Sequence, residues 1–417
     1  MRILIVHNVY QEPGGEDRVV VDETRMLEDA GHTVLHYGAH NDDVGQLTQL
    51  RLAARTVWSQ SSYDALARVI DSGRPDVMHV HNTLPLISPS AYFAASRRGV
   101  AVVQTLHNFR LLCPNALLFR DGAACEECLG RAVPWPAIQH GCYRGNRAAT
   151  AAIVAMLTMH RAAGTYGNKV DAFIAPSEFV RRKFVENGFP EQRVIVKPHV
   201  VYPDRGIGNG SGGYALYVGR LSAEKGVPTL LAAWQQLRAD IPLLVVGDGP
   251  LAPLVIDAAR TEGVIWLGQR PADQVHDLLA RARCLVLPSE CYETFGRVAA
   301  EAYAAGTPVI AANGGSIREL VSHERTGLLF EQGSADDLVR QVRLVLRTPT
   351  LLREMRLHAR AEYEARYSAA ANVRELLTVY RRAIVWRGAT RAPSRYRRAH
   401  RAARAVKPPA TGRDVRV

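Results

Sequence analysis

Short β-branched runs alternate with helix-spaced segments along this chain, and the pattern is played out twice. In the first half "RILIVHN", from Arg2, is a strand by length and composition. "EDRVVVDETRMLEDAG" then has helical spacing and stops at Gly31, and "HTVLHYG", "DVMHVHN", "VAVVQTLHN" and "AFIAPS" continue the series. Near Asp204 the segment "DRGIGNGSGG" loses all apolar periodicity and reads as a flexible linker. The alternation restarts with "YALYVGR", "PLLVVGDG", "VIWLG", "CLVLPS", "PVIAANGG" and "GLLF". Strand–helix–strand alternation builds a parallel sheet covered by helices on both faces, so the expectation is α/β with two doubly wound units. Such sheets bind ligands beyond the carboxyl ends of their strands, which places the expected site in the cleft between the units. The boundaries drawn from the pattern are 1–203, a linker at 204–213, a second unit at 214–370, a C-terminal amphipathic helix at 371–386 returning to the first unit, and a basic, disordered tail at 387–417.

Charge is concentrated in that tail. The chain has 417 residues and a net charge of +12, and residues 387–417 hold ten Arg/Lys against one acid, Asp414. Such a segment suits an anionic membrane surface; nucleic acid is a weaker fit, and a solvated terminus without a partner is the plain alternative. The longest apolar run, Ala148 to Met159, is about a dozen residues, short of the roughly 20 that span a bilayer. The opening "MRILIVHN" has no leader pattern, so the expected location is cytoplasmic, at most peripheral to the inner face of a membrane, with cysteines reduced.

The chemistry-bearing residues sit where strands stop. Gly14 and Gly15 follow the first strand and precede a helix, where exposed N–H groups favour phosphate. In "YVGRLSAEKGV", Arg220 and Lys225 lie just past a strand, and two cations there suit a diphosphate. In "PSECYETFGRVAAEAYAAG", Glu293 lies in a loop at the positive end of a helix dipole, beside the N–H groups of Thr294, Phe295 and Gly296. Glu301 lies inside the helix among alanines, where a charged acid should face a ligand or a partner. Two carboxylates flanking a phosphate-binding turn would read the hydroxyl pairs of a ribose and a hexose.

Four of the six cysteines fall in one segment, "CPNALLFRDGAACEECLGRAVPWPAIQHGC", at Cys113, Cys125, Cys128 and Cys142. The Cys125-x2-Cys128 spacing fits a structural zinc knuckle; buried thiols or redox chemistry fit as well. Cys284 reads as core and Cys291 as a tolerated residue of the Glu293 loop. His79 and His81, two apart on a strand, share one face and read as core or cleft-lining residues rather than metal ligands.

Glu293-x7-Glu301, Arg220-x4-Lys225 and Gly14-Gly15, with "VGDGP" and "TGLLF" in order between and after them, resemble the retaining glycosyltransferases of family GT4, over roughly residues 1–385. The resemblance implies the GT-B fold, two Rossmann-like domains facing across a cleft. It implies that Arg220 and Lys225 bind the diphosphate of a nucleotide-sugar donor and stabilise the leaving group, that Glu301 binds the ribose, and that Glu293 and the following amides contact the donor sugar. Gly15 would approach the phosphate from the other domain. His107, in "TLHN", matches the family's histidine beside the reacting sugar and is not read as a general base. No catalytic cofactor is implied, and no metal-holding Asp-x-Asp follows a strand. The implied acceptor is a hydroxyl of a glycan or lipid-linked molecule in cell-envelope polysaccharide assembly. A soluble small-molecule acceptor and a non-catalytic nucleotide-sugar-binding protein are the alternatives. One position departs from the family pattern: in Gly14-Gly15-Glu16-Asp17-Arg18 an aspartate stands where many members have glutamate, which bears on acceptor contacts.

Overall fold

The computed structural model describes residues 1–12, 14–261 and 263–391. Six parallel strands form the first sheet: β1 (Arg2–Val9), β2 (Thr33–His40), β3 (Val77–Asn82), β4 (Ala101–Thr105), β5 (Ala172–Ala175) and β6 (Val194–Val196), in the order β2-β1-β3-β4-β5-β6. The second sheet has β7 (Ala215–Val218), β8 (Leu243–Val246), β9 (Val264–Gly268), β10 (Cys284–Leu287), β11 (Val309–Ala312) and β12 (Gly327–Phe330), in the order β9-β8-β7-β10-β11-β12. All of these pairings are parallel. Strands such as "RILIVHNV" and "CLVL" are buried on both faces, as a helix-covered parallel sheet requires. Each sheet carries a core on each of its faces.

Both sheets reverse their strand order at one place, between β1 and β3 in the first and between β7 and β10 in the second. The loops beyond those strands diverge there and leave a crevice. The residues singled out from the sequence follow β1, β4, β7 and β10.

Helix α1 (Gly15–Asp29) follows β1, and α2 (Arg297–Ala304) follows β10. The last helix, α3 (Ala369–Arg391), packs on the first sheet, with Leu376, Val379, Tyr380 and Ala383 in that sheet's core. It extends five residues beyond the expected end at 386. Arg387 is therefore no tail residue: it is buried and its guanidinium pairs with Asp171 at 2.7 Å. The remainder of the basic tail, 392–417, lies outside the described residues.

The glycine-rich stretch at 204–213 is not a free linker. Gly208 N–H donates to the Ala305 carbonyl, Gly210 N–H to Ala280 and Gly212 N–H to Arg281, each at 3.0 Å or less. A Cβ on Gly208 would sit 2.0 Å from the Ala280 carbonyl oxygen. That glycine serves close approach of two backbones, so the segment belongs to the second unit's surface.

Candidate active site

In the second unit, the loops after β7 and β10 touch directly. Gly226 ends the short helical turn Ala223–Lys225 with φ of 69°, and a Cβ there would lie 1.9 Å from the Pro288 carbonyl oxygen. Only glycine lets the two loops meet so closely. The contact brings the Lys225 ammonium 2.6 Å from Glu293 Oε1, which also accepts from the Ser289 hydroxyl at 2.6 Å. Burial opposes both charges. The partner's charge outweighs it, so the Glu293 carboxyl is held below its ordinary range and the Lys225 ammonium above its own. Arg220 is exposed and has no ion pair among the described residues. Gly296, at φ 80°, caps α2, and the Phe295 ring is buried between His199 and Tyr367.

Glu301, one turn into α2, accepts from Arg297 Nε at 2.8 Å. Arg297 also reaches across to Asp22 of α1 at 2.6 Å. It is largely buried, and the two carboxylates overcome the cost of burying its charge. Cations thus hold both acids of the Glu-x7-Glu pair: Lys225 at Glu293, Arg297 at Glu301.

The first unit closes against the same loop. The Thr294 hydroxyl donates to the His107 carbonyl at 2.7 Å, and the Ser177 hydroxyl donates to the Thr294 carbonyl at 3.0 Å. The His107 ring is buried between His81 and His199, with ring centroids 5.1 and 5.0 Å away. Burial first, and neighbouring charges second, push His81, His107 and His199 well below the ordinary histidine value, so they are neutral. Gly15 begins α1, and a Cβ there would meet nothing within 4 Å, so the protein leaves its backbone open to approach. Gly14 N–H donates to Asp17 Oδ2 at 2.7 Å.

Residues 208–363 match the family model described as "Glycosyl transferases group 1", and residues 13–205 match "Glycosyltransferase Family 4". The chain belongs to the family 4 glycosyltransferases. Among relatives of this glycosyltransferase, a glycogen synthase of Mycobacterium tuberculosis is 40% identical over 141 residues, 32% of this chain and 34% of that protein. A lipopolysaccharide 1,2-N-acetylglucosaminetransferase of Salmonella typhimurium is 38% identical over 146 residues, 31% of this chain and 38% of that one. These matches span little more than a third of each relative. The Anabaena protein HepE, solved in complex with UDP and glucose, superposes with a TM-score of 0.63 at 18% identity, covering 90% of this chain and 98% of that one. At that identity the likeness shows the GT-B architecture.

In the family 4 chain, the strand-end residues Lys225, Glu293, Thr294, Phe295, Gly296 and Glu301 gather with His107 at one face of the cleft. Sequence reading missed Arg297 and Asp22, which are 275 positions apart and visible only through folding, and Ser177. It also left Asp17 open. That carboxylate accepts from His7 Nε2 at 2.8 Å and from the Tyr10 and Gly14 amides, and these bonds outweigh its burial and hold it below its usual value. Asp17 caps the helix. Glu16 is the acid that spans the loops, accepting from the Tyr10 hydroxyl and the Asn108 amide, and burial raises it.

The four cysteines of the insert are neighbours in the fold: Cys113, Cys125 and Cys142 all act on the Cys128 thiol. All six cysteines are free thiols, and no three of Cys113, Cys125, Cys128 and Cys142 have sulfurs within 4.8 Å of one another. Zinc at ~2.3 Å from four sulfurs would hold them about 3.8 Å apart, closer than they lie here. Burial pushes the Cys128 thiol up to about 11, which keeps it protonated. A cavity of about 460 Å³ lies at the insert, lined by Leu112, Cys128, Arg131, Arg161 and Phe189. Glu23, His79 and His81 do converge within 4.8 Å, but Lys197 already pairs with Glu23 at 2.7 Å and is the cation of that site. No helix among the described residues is long and apolar enough to cross a membrane.

Proposed function

We propose that this chain transfers a sugar, with retention of configuration, from a nucleoside-diphosphate sugar to a hydroxyl of a glycan or lipid-linked acceptor. The observation that carries the reading is the Lys225–Glu293 pair, held at 2.6 Å beside the start of α2 and docked through Thr294 onto His107. The donor diphosphate displaces Glu293 from Lys225, and Glu293 turns to the sugar hydroxyls. Glu301 takes the ribose hydroxyls in place of Arg297. The bond from the sugar's anomeric carbon to the diphosphate breaks, and its electron pair leaves on the phosphate oxygen. Arg220, Lys225 and the free amides at the start of α2 stabilise that charge, so the chemistry asks for no metal ion. The acceptor hydroxyl bonds to the anomeric carbon on the face the leaving group vacates, and its proton passes to the departing phosphate.

The Salmonella lipopolysaccharide relative supports an envelope acceptor. The basic segment 392–417, with eight Arg/Lys and one Asp, would bring the enzyme to an anionic membrane surface where lipid-linked acceptors lie. A panel of UDP-, GDP- and ADP-sugars tests the reading. Release of nucleoside diphosphate from one donor is expected, lost in Lys225→Ala and needing more donor in Glu301→Gln. Donor binding without turnover under any acceptor would favour a sensor, and no binding to any donor would overturn the site.

A further inference from the structure

Behind His107 runs a chain of buried polar groups that the donor site itself does not need. His107 Nε2 lies 2.9 Å from His81 Nδ1. On the far side of the His81 ring, Nε2 lies 3.6 Å from Glu23 Oε2, which is also 3.7 Å from His79 Nδ1; neither His81 Nε2 nor Glu23 Oε2 has a hydrogen-bond partner, so each is the other's nearest unsatisfied group. Glu23 Oε1 pairs with the Lys197 ammonium at 2.7 Å. The His79 ring packs alongside at 4.2 Å, with its own nitrogens occupied by the Tyr380 hydroxyl at 2.8 Å and Thr105 at 2.7 Å. Glu23, His79, His81 and Lys197 are all buried. So many polar groups would not be placed in a core for stability alone.

A neutral imidazole carries one proton, on one nitrogen or the other. The proton between His81 and His107 can belong to either ring, and the choice sets what the outer nitrogen of His107 can do. Glu23 decides it. A lone pair on His81 Nε2 would face the Glu23 carboxylate, whereas an N–H there would point at it. The carboxylate therefore keeps the proton on His81 Nε2, leaves His81 Nδ1 as an acceptor, and makes His107 donate from Nε2. His107 Nδ1 is then a bare lone pair, without a partner among the described residues.

We propose that Glu23 and His81 are positioning residues that lock His107 in the Nε2–H tautomer, so that its Nδ1 accepts a hydrogen bond from a hydroxyl of the donor sugar. This deepens the transferase reading and rests on it for the sugar. A bare, neutral nitrogen suits the place. It holds a hydroxyl hydrogen and adds no positive charge beside a sugar carbon that becomes electron-poor as the diphosphate leaves.

The test is Glu23→Gln in the full chain. The glutamine amide can donate to His81 Nε2, which moves the His81 proton to Nδ1, reverses the His81–His107 bond and puts a proton on His107 Nδ1. Nitrogen NMR of histidine-labelled protein reads this directly, because protonated and bare ring nitrogens resonate far apart, with His107→Gln assigning the signal by its loss. The expected result is an Nε2–H His107 in the native protein and an Nδ1–H His107 in Glu23→Gln. Donor kcat should fall about ten- to hundredfold, the equivalent of one lost hydrogen bond at the reacting sugar, with nucleotide affinity unchanged. His81→Asn, whose side-chain carbonyl can take the place of Nδ1, should keep the His107 tautomer and most of the turnover. An Nδ1–H His107 in the native protein overturns the proposal, even if Glu23→Gln does not fold. So does a folded Glu23→Gln with unchanged tautomer and kcat. The tautomer is measured without any donor, so a failure of the transferase reading would show separately, as absence of turnover with the tautomer as stated.

Discussion

Replacing Lys225 by alanine separates what the cation does for the fold from what it does for the donor. In the ligand-free chain its ammonium lies 2.6 Å from Glu293, with the lysine side chain 29% and the glutamate 12% exposed. Removing one partner of a fully buried pair costs about 3–5 kcal/mol, mostly because the other charge is stranded; with Lys225 reaching solvent, about 2–3 kcal/mol is expected here. Removing a charge that stabilises a leaving group costs a similar energy for a different reason, about 10²–10³ in rate. The double variant Lys225→Ala/Glu293→Gln tells them apart. Without the stranded charge it should regain most of the lost stability in a urea titration, while diphosphate release stays as low as in the single variant or lower. Acid gives a second check. Because Glu293 is held below its ordinary value, the pair stabilises fully above about pH 4.3, the unfolded carboxylate value, and this is lost as pH falls through the depressed folded value. The stability gap between wild type and Lys225→Ala should therefore narrow on acidification. A double variant as unstable as the single one, or a single variant releasing diphosphate within threefold of wild type, would refute the reasoning.

Glu301→Gln should raise the donor KM about tenfold with a smaller effect on kcat, since a ribose contact is made in ground and transition states alike; steady-state kinetics on one donor checks this. On the proposed donor contacts turnover should be unchanged by excess EDTA, since Arg220, Lys225 and backbone amides would meet the leaving-group charge. A chain ending at residue 391 should melt with the full-length protein and one ending at 386 several degrees lower, because Arg387 is paired with Asp171 inside the fold; thermal denaturation followed by circular dichroism distinguishes them.

The strand-end positions were legible because their signals are local. A strand, a glycine and a cation or acid within ten residues fix a position at the carboxyl edge of a sheet, and Arg220, Lys225, Glu293 and Glu301 could be placed from that alone. What could not be read is whatever depends on pairing across the cleft. Nothing near Asp22 in sequence announces Arg297, and nothing near His81 announces that Glu23 stands behind it. The stretch 204–213 was misjudged for another reason. Glycine serves where a backbone needs freedom and where a side chain has no room, and composition does not tell these apart; Gly208 is of the second kind. The insert's cysteines do come together, as neighbours around Cys128, although their sulfurs lie farther apart than zinc would hold them.

The pinned stretch at 204–213 also limits how the two halves can part. The chain passes between them just before that stretch and returns just ahead of α3, and these passages are tied to each other: Val201 N–H donates to the Tyr367 carbonyl at 3.1 Å, the Tyr363 hydroxyl to the Val201 carbonyl at 3.2 Å, and the Asn372 amide to the Pro198 carbonyl at 2.9 Å. Two adjacent, cross-bonded chains resist twisting far more than one loose tether does. They act as a door hinge with two knuckles, allowing one axis of swing, and the bonds that must break for the door to open include those of Thr294 and Arg297, the residues flanking the start of α2, where the nucleotide would enter, and that of the Glu178 amide to Glu319.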